Sequence, residues 1–481
     1  MDPSFSQIVF QEGIMTDFSI KIALMPNRRD TPARSGDKPG FMDSVIAGER
    51  AWNAISYIRK KYSSNRISFV DLKGINPEGV ISNEVDIDKT VEKFRQEKID
   101  ALFIINSNFG NEEVVTQVAY EIGKPVLLWG PRDDCPEPDG TRYTDSQCGI
   151  FAISRHLQRR HIPFTYIENC KIEDEIFDRG IRGFFSVCCM VKNFSNLRIG
   201  QVGLRPKPFC SVIFNEGELL GKFNIQVIPI NLAVVTSKYN HILETRKKEL
   251  EEGAALFRSR YEMDDLSPPL LEKVYAFVLL YEELFKLYKV DIISAECWTA
   301  MNLAVGAMPC SAYTVLGDMG YIVGCESDVM GTLSMYLLAC ASLGERKPLF
   351  GEFTIRHPSN KNAELLWHCG SFAYSLRHPD DKAKMSATRS WYRIKDGTYT
   401  VARMDQEDGK YSFLAGACRT TEGPYTNGAY FWGEFDDLSK WERKLIDGPY
   451  IHHMAEIEGD YSAEIKEFCK YVPNLEFDEV K

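Results

Sequence analysis

The chain has no long cluster of Lys and Arg, no window of about eighteen consecutive apolar residues, no internal repeat and no low-complexity tract. Each absence removes a class of protein. Neutralising nucleic-acid phosphates needs grouped cations, and this chain carries a net charge of -11, so a polyanion is excluded as its main partner. Without a long apolar window no transmembrane helix is expected, hence no membrane partner. Met1 to Thr16 mixes polar and apolar residues instead of reading as a leader, which makes the cytoplasm the expected compartment. Gly200 and Gly203 lack the third glycine and the following helix of a dinucleotide fingerprint, which argues against a nicotinamide cofactor. The 13 cysteines have no paired zinc-ligand spacing, Cys188-Cys189 included. An odd number in apolar contexts such as Ser186 to Met190 and Leu338 to Ala341 reads as buried free thiols in a reducing compartment.

What is present is enough apolar sequence for several cores. At 481 residues, 44% hydrophobic and 26% charged, the chain divides into about three domains. In residues 1–136, strand patterns at Phe18 to Met25, Ile67 to Leu72, Ala101 to Asn106 and Pro125 to Trp129 alternate with helical ones at Met42 to Lys61, Asp88 to Glu97 and Glu112 to Ile122. Such alternation predicts a parallel sheet covered by helices on both faces. Pro131 to Gly140 reads as a linker. Residues 137–340 repeat the pattern, with strands at Phe164 to Ile167, Ser195 to Pro206 and Phe223 to Ile230, a charged helix from Lys238 to Arg260 and an amphipathic helix from Ser267 to Tyr288. Residues 341–481 give short alternating pieces, and the turn pairs Asp396-Gly397 and Asp408-Gly409 predict tight hairpins. The expected fold class is α/β: two consecutive Rossmann-like domains with parallel sheets, then a β-rich carboxy-terminal domain.

The chemistry concentrates between Asp291 and Leu338. One apolar run, Asp291 to Ala295, stops at Glu296-Cys297-Trp298, and a second, Gly320 to Cys325, stops at Glu326-Ser327-Asp328. Two buried strands ending in carboxylates can place oxygen ligands around one crevice, as hard divalent metals require. The alternative is that these carboxylates cap helices or sit in solvated loops. At the edge of the first sheet, Asn106-Ser107-Asn108-Phe109-Gly110 combines amides with an aromatic ring, a pairing suited either to a sugar or to a helix-capping turn.

Cys297-Trp298, Met308-Pro309-Cys310, the block Cys325 to Met335 and Trp367-His368-Cys369-Gly370 resemble the carboxy-terminal half of the L-fucose isomerase and L-arabinose isomerase superfamily, especially its shorter fucose-isomerase-like members. The Cys-Glu-x-Asp-x-x-Gly block is the most specific part. The resemblance implies the same domain order and a metal-dependent aldose-ketose isomerase working through a cis-enediol, with Mn²⁺ or another divalent ion such as Co²⁺ or Mg²⁺. It implies that Asp328 and His453 bind metal. Where related sequences read Cys-Trp-Pro-Glu, this chain has Ala300, so Glu296 or Glu326 is expected to complete the site, and Asp328, Glu326 and Glu296 to carry the proton.

Substrate contacts are expected from the basic turn Arg28-Arg29, from Asn108 and Phe109, and from Trp298, His368 and His452. L-fucose, an arabinose and a substituted hexose such as sulfoquinovose share the same C1–C2 chemistry. An anionic far end calls for an arginine, with Arg28, Arg29 and Arg205 as candidates. The resemblance also implies a homo-oligomer, a trimer, tetramer or hexamer, with the active site shared between subunits. A non-catalytic sugar-binding relative, and a metal-dependent hydrolase or lyase on a sugar acid, are the alternatives.

Overall fold

Strand runs such as Ala101 to Asn106 and Ile292 to Ala295 are apolar but for Asn106 and Ser294 and buried throughout, the property of parallel strands covered on both faces. The structure is a computed structural model and describes residues 16–31, 38–263 and 266–480. Two compact units result: Phe18–Lys192 with Lys466–Pro473, and Asn193–Ile465 with Asn474–Lys481.

The first unit is built on strands β1 (Ile20–Asn27), β2 (Ile67–Val70), β3 (Ala101–Asn106), β4 (Val126–Trp129) and β5 (Phe164–Tyr166), in the order β2-β1-β3-β4-β5. All four pairings are parallel. Residues 137–192, grouped by sequence with the second domain, contribute β5 to this sheet through its register with β4. The strand order reverses between β1 and β3, and at that point Asn27 Nδ2 donates to Asn106 Oδ1 at 2.8 Å.

The second unit holds a parallel sheet in the order β10-β9-β6-β7, formed by β6 (Arg198–Val202), β7 (Gln226–Ile230), β9 (Ile292–Ala295) and β10 (Val323–Cys325). It also holds a mostly antiparallel ten-stranded sheet of β8 (Glu262–Met263), β11 (Leu349–Arg356), β12 (Ala363–His368), β13 (Lys384–Ser386), β14 (Arg389–Arg393), β15 (Thr398–Glu407), β16 (Lys410–Thr421), β17 (Ala429–Glu434), β18 (His453–Glu458) and β19 (Leu475–Glu479). The α/β-then-β order read from the sequence is therefore the fold. The fully buried helix Val329–Ala341 lies between the two sheets and packs on β18, β15, β10 and β9.

Two local expectations are corrected. The charged helix expected from Lys238 to Arg260 is two helices, Leu232–Thr245 and Lys247–Arg260, because Arg246 leaves the helical region at φ -108°, ψ 41°. Asp408-Gly409 does close the β15–β16 hairpin, both residues having positive φ and Glu407 facing Lys410. Asp396-Gly397 closes none: β14 runs parallel to β17 while β15 pairs with β16 and β18, and Gly397 N donates to Thr420 Oγ1 instead.

Candidate active site

In the second unit the strand order reverses between β6 and β9, so ligands are expected outside the carboxyl ends of these strands. The segment after β10 is bent sharply there. Glu326 and Ser327 are consecutive non-glycine residues with φ of 64° and 53°, a conformation that costs on the order of 1–3 kcal/mol per residue and persists only where surroundings impose it. The surroundings do: Ser327 N donates to Ala295 O at 3.0 Å, Ser327 Oγ to Val202 O at 3.2 Å, and Asp328 N to Cys325 O at 3.2 Å. The turn is thus tied to the ends of β6, β9 and β10, and it presents the buried Glu326 side chain toward β11 and β18.

Asp328 follows and caps the helix Val329–Ala341, its Oδ1 accepting from Gly331 N at 3.0 Å. Gly331 permits this approach, since a Cβ there would stand 2.7 Å from Asp328 Oδ2 and 2.5 Å from Phe350. Both Asp328 oxygens have further donors. Arg403 reaches Oδ2 at 2.7 Å and Oδ1 at 3.2 Å, and His453 Nδ1 lies 3.0 Å from Oδ2. Burial alone would raise the Asp328 carboxyl, but Arg403 and His453 outweigh it and hold the group well below the usual carboxylate range. Arg403 is itself buried, with Nε on Asp405 at 2.7 Å and Nη1 on the His453 carbonyl at 3.1 Å.

His453, fully buried at the start of β18, directs Nε2 toward Glu326 Oε2 at 3.2 Å and Glu352 Oε1 at 3.9 Å. His368, at the end of β12, directs its Nε2 to Glu352 Oε1 at 3.5 Å. Glu352 can serve both because β11 lies between β12 and β18 and pairs it with Trp367 and His453. Glu326 Oε2, His368 Nε2 and His453 Nε2 are buried and meet only the opposite charges of this cluster, at 3.2 to 3.9 Å and outside hydrogen-bond geometry. Two triads, Glu352–His452–His453 and Glu326–Glu352–His368, have ligand atoms within 4.8 Å of one another. Orphaned buried polar atoms are costly, and a set of imidazoles and carboxylates left unpaired fits a divalent cation.

The local charges follow. Burial would lower His453, but the carboxylates of Asp328 and Glu326 raise it to about 9; burial would likewise lower His368, which Cys369 and the glutamates raise to about 9. Burial would raise Glu326, yet the two histidines hold it below its usual value. Half-buried His452 is pushed down by burial and by His453. Above the cluster Phe209 packs its ring 5.9 Å from His453, 6.3 Å from His452 and 5.8 Å from the partly exposed Trp298.

Glu296, expected to ligate metal and move protons, has its oxygens engaged elsewhere. Oε1 accepts from Thr299 Oγ1 and from Ala300 N at 3.1 Å, and Oε2 accepts from Leu204 N at 3.2 Å. It ties down the turn after β9 and the loop after β6, where Gly203, with φ 71°, leaves room that a Cβ would take 2.5 Å from Glu296 Oε2. That loop borders a cavity of 470 Å³ lined by Gln201, Arg205, Lys207, Phe214 and Ser327. Among the described residues, neither Arg205 nor Lys207 has a carboxylate partner.

Arg28, Arg29, Asn108 and Phe109 belong to the first unit, at the carboxyl ends of β1 and β3. Arg28 is paired with Asp30 and Glu78. Asn108 is fully buried and ties Arg29 N, Gly110 N, Arg29 O and Met42 O together. Arg29 lies over the Phe109 ring at 4.2 Å. Glu352, Arg403 and Phe209 were not singled out by sequence. Two carried a signal, a charged residue set among apolar neighbours: Glu352 between Phe350-Gly351 and Phe353, and Arg403 between Ala402 and Met404.

A parallel sheet with a carboxylate at a strand end, set against histidines from a β-rich domain, defines a class of α/β protein with a mixed imidazole–carboxylate site. The sequence comparisons narrow it. Residues 38–195 match the family profile described as fucose/sulfoquinovose isomerase, N-terminal domain. A sulfoquinovose isomerase of Priestia aryabhattai is 23% identical over 84% of this chain and 90% of its own length; one of Alkalicoccus urumqiensis is 24% identical over 76% and 83%, and one of Clostridium sp. (strain MSTE9) 27% identical over 59% and 62%. The chain is thus similar to fucose/sulfoquinovose isomerases, through the family profile over residues 38–195 and through these relatives over most of its length. Among solved structures, a periplasmic solute binding protein of Actinobacillus succinogenes with bound D-allose covers 68% of this chain and 93% of its own at 12% identity, but its TM-score of 0.16 carries no argument.

Proposed function

We propose that the protein is a divalent-metal-dependent aldose-ketose isomerase that acts on a free aldose through a cis-enediol. The observation that carries this reading is the convergence of three orphaned ligand atoms, on Glu326, His368 and His453, around Glu352; the relatives named as sulfoquinovose isomerases support it. Glu352, common to both triads, would hold the ion with His453 of one and His368 of the other, with Mn²⁺ as the first candidate. When bound, such an ion supplies positive charge against the oxyanion that develops at C1–C2.

The chain's own groups do the rest. Asp328, kept ionised by Arg403, accepts from His453 Nδ1 and so turns Nε2 toward the site, an orienting role in place of the ligating one expected for it. Glu326, ionised at neutral pH and unpartnered at Oε2, takes the proton from C2 and returns it to C1. His452, whose depressed pKa keeps it neutral, passes a proton between O1 and O2. Phe209 and Trp298 cover the C–H face of the sugar. Arg205 and Lys207, without acidic partners beside the Ser327 cavity, suit an anionic far end, which favours a sulfonated hexose such as sulfoquinovose among the candidates.

A non-catalytic sugar-binding relative is the second reading, favoured by Ala300 and by the engagement of Glu296 elsewhere. Ketose formation from sulfoquinovose, quinovose, L-fucose and the arabinoses, assayed with added Mn²⁺ and after exhaustive chelation, separates the two. The isomerase reading expects turnover that chelation abolishes and Mn²⁺ or Co²⁺ restores, greatest with the sulfonated sugar. Binding without turnover anywhere in the panel supports the second reading, and full activity in the stripped protein overturns the metal's role.

A further inference from the structure

The four sequence motifs of the carboxy-terminal half each contain a cysteine, and the structure brings the four into two pairs. Cys297 and Cys325, at the ends of β9 and β10, hydrogen-bond to each other. Cys310 opens the helix Cys310–Met319, and its Sγ lies 3.5 Å from Sγ of Cys369, 59 residues away and just beyond β12. Among the described residues, neither metal-type triad contains a cysteine. Cys297, Cys310 and Cys325 are buried, while Cys369 is partly exposed and lies 3.4 Å from His368 Nδ1. The same imidazole carries an unpartnered Nε2 at the candidate active site.

We propose that Cys310 and Cys369 form a reversible oxidation site for hydroperoxides, whose disulfide detaches His368 from its thiol contact and weakens metal binding. The second half of this proposal rests on the reading of His368 given above. In the first step the Cys369 sulfur attacks one peroxide oxygen and the O–O bond breaks, the thiol proton leaving with the departing hydroxide as water and a sulfenic acid remaining on Cys369. Cys310 then attacks the sulfenic sulfur; the S–S bond forms, the S–O bond breaks and a second water leaves. Overall two thiols lose two electrons and hydrogen peroxide is reduced to two waters. Closing the sulfurs from 3.5 Å to a bond of about 2.05 Å shortens the gap by roughly 1.5 Å in all and leaves Cys369 without the S–H that faces Nδ1. The hydrogen bond with Cys310 and burial both hold the Cys369 thiol well above its usual range, so oxidation is slower than at an exposed, activated thiol.

The test treats the full chain with excess hydrogen peroxide, alkylates the remaining thiols after denaturation and maps the peptides. The expected result is a Cys310–Cys369 cross-link that dithiothreitol reverses and that is absent from Cys310→Ser and Cys369→Ser. Mn²⁺ affinity, measured by the resonance of free Mn²⁺, is expected to fall about tenfold on oxidation and to recover on reduction. Where a serine variant fails to fold, the wild-type map alone decides the cross-link. Both thiols still alkylated after exhaustive treatment, or Cys369 overoxidised with Cys310 free, overturns the proposal, as does a cross-linked chain with unchanged Mn²⁺ affinity. A chain that forms the cross-link and loses Mn²⁺ affinity but isomerises no sugar supports this site while counting against the proposed activity.

Discussion

At the scale of single residues, the charges that matter are those held away from water. Asp328→Asn keeps the helix cap but removes the carboxylate that orients His453 and leaves buried Arg403 with Asp405 as its remaining acidic partner. Turnover is expected to fall by about a hundredfold, and the unfolding free energy by about 3 kcal/mol, because an under-compensated buried charge is expensive; steady-state kinetics and denaturant titration measure the two, and near-normal turnover would remove Asp328 from the mechanism. Glu364 is the opposite case. Burial raises its carboxyl to about 7, only partly offset by Arg356. A carboxyl raised in the folded state binds its proton more tightly there than in the unfolded chain, so the native protein loses stability as pH climbs from the unfolded value of 4.5 through about 7. Since Glu364 borders a surface groove where water screens it, Glu364→Gln is expected to raise stability by about 1 kcal/mol near pH 8 and by nothing near pH 4. Equal melting shifts at both pH values would sink the assignment.

At the scale of elements, the site is made by strand ends, and strand ends are what sequence periodicity locates. The run before Glu326 and the β15–β16 hairpin at Asp408-Gly409 were legible, because burial period and turn chemistry are local properties. Which carboxylate faces the histidines was not. Glu352 comes to His368 and His453 only because β11 lies between β12 and β18, a pairing fixed by the whole sheet. Glu296 was ambiguous for a related reason: a carboxylate following an apolar strand can face the site or hold adjoining turns, and in the structure it accepts from Thr299 and Leu204. The consequence is measurable. Glu296→Ala should loosen the loop bearing Arg205 and Phe209, raising KM for the sugar by about tenfold with Mn²⁺ affinity unchanged; a collapse in Mn²⁺ affinity would restore Glu296 as a ligand.

At the scale of the whole molecule, the candidate functional groups are divided between the two units. Arg29 and Phe109 occupy the strand-order reversal of the first sheet, where the Arg29 guanidinium is stacked and, among the described residues, has no carboxylate partner. The imidazole–carboxylate cluster belongs wholly to the second unit. A candidate sugar-binding edge on a unit that, among the described residues, has no metal-type cluster is accounted for if protomers close into a ring or cage in which one subunit's first domain serves its neighbour's cluster, the arrangement the superfamily resemblance implies. A symmetric trimer, tetramer or hexamer is therefore expected by light scattering. Complementation tests the sharing directly. Asp328→Asn protein and Arg29→Ala, Phe109→Ala protein, each inactive alone, are co-assembled by denaturation and refolding or by co-expression with two tags. In a mixed oligomer some sites receive an intact cluster from one chain and an intact Arg29–Phe109 edge from the other, so activity reappears in proportion to the mixed species. A monomer at working concentration, or purified mixed oligomers that stay inactive, would mean that each chain builds its site alone.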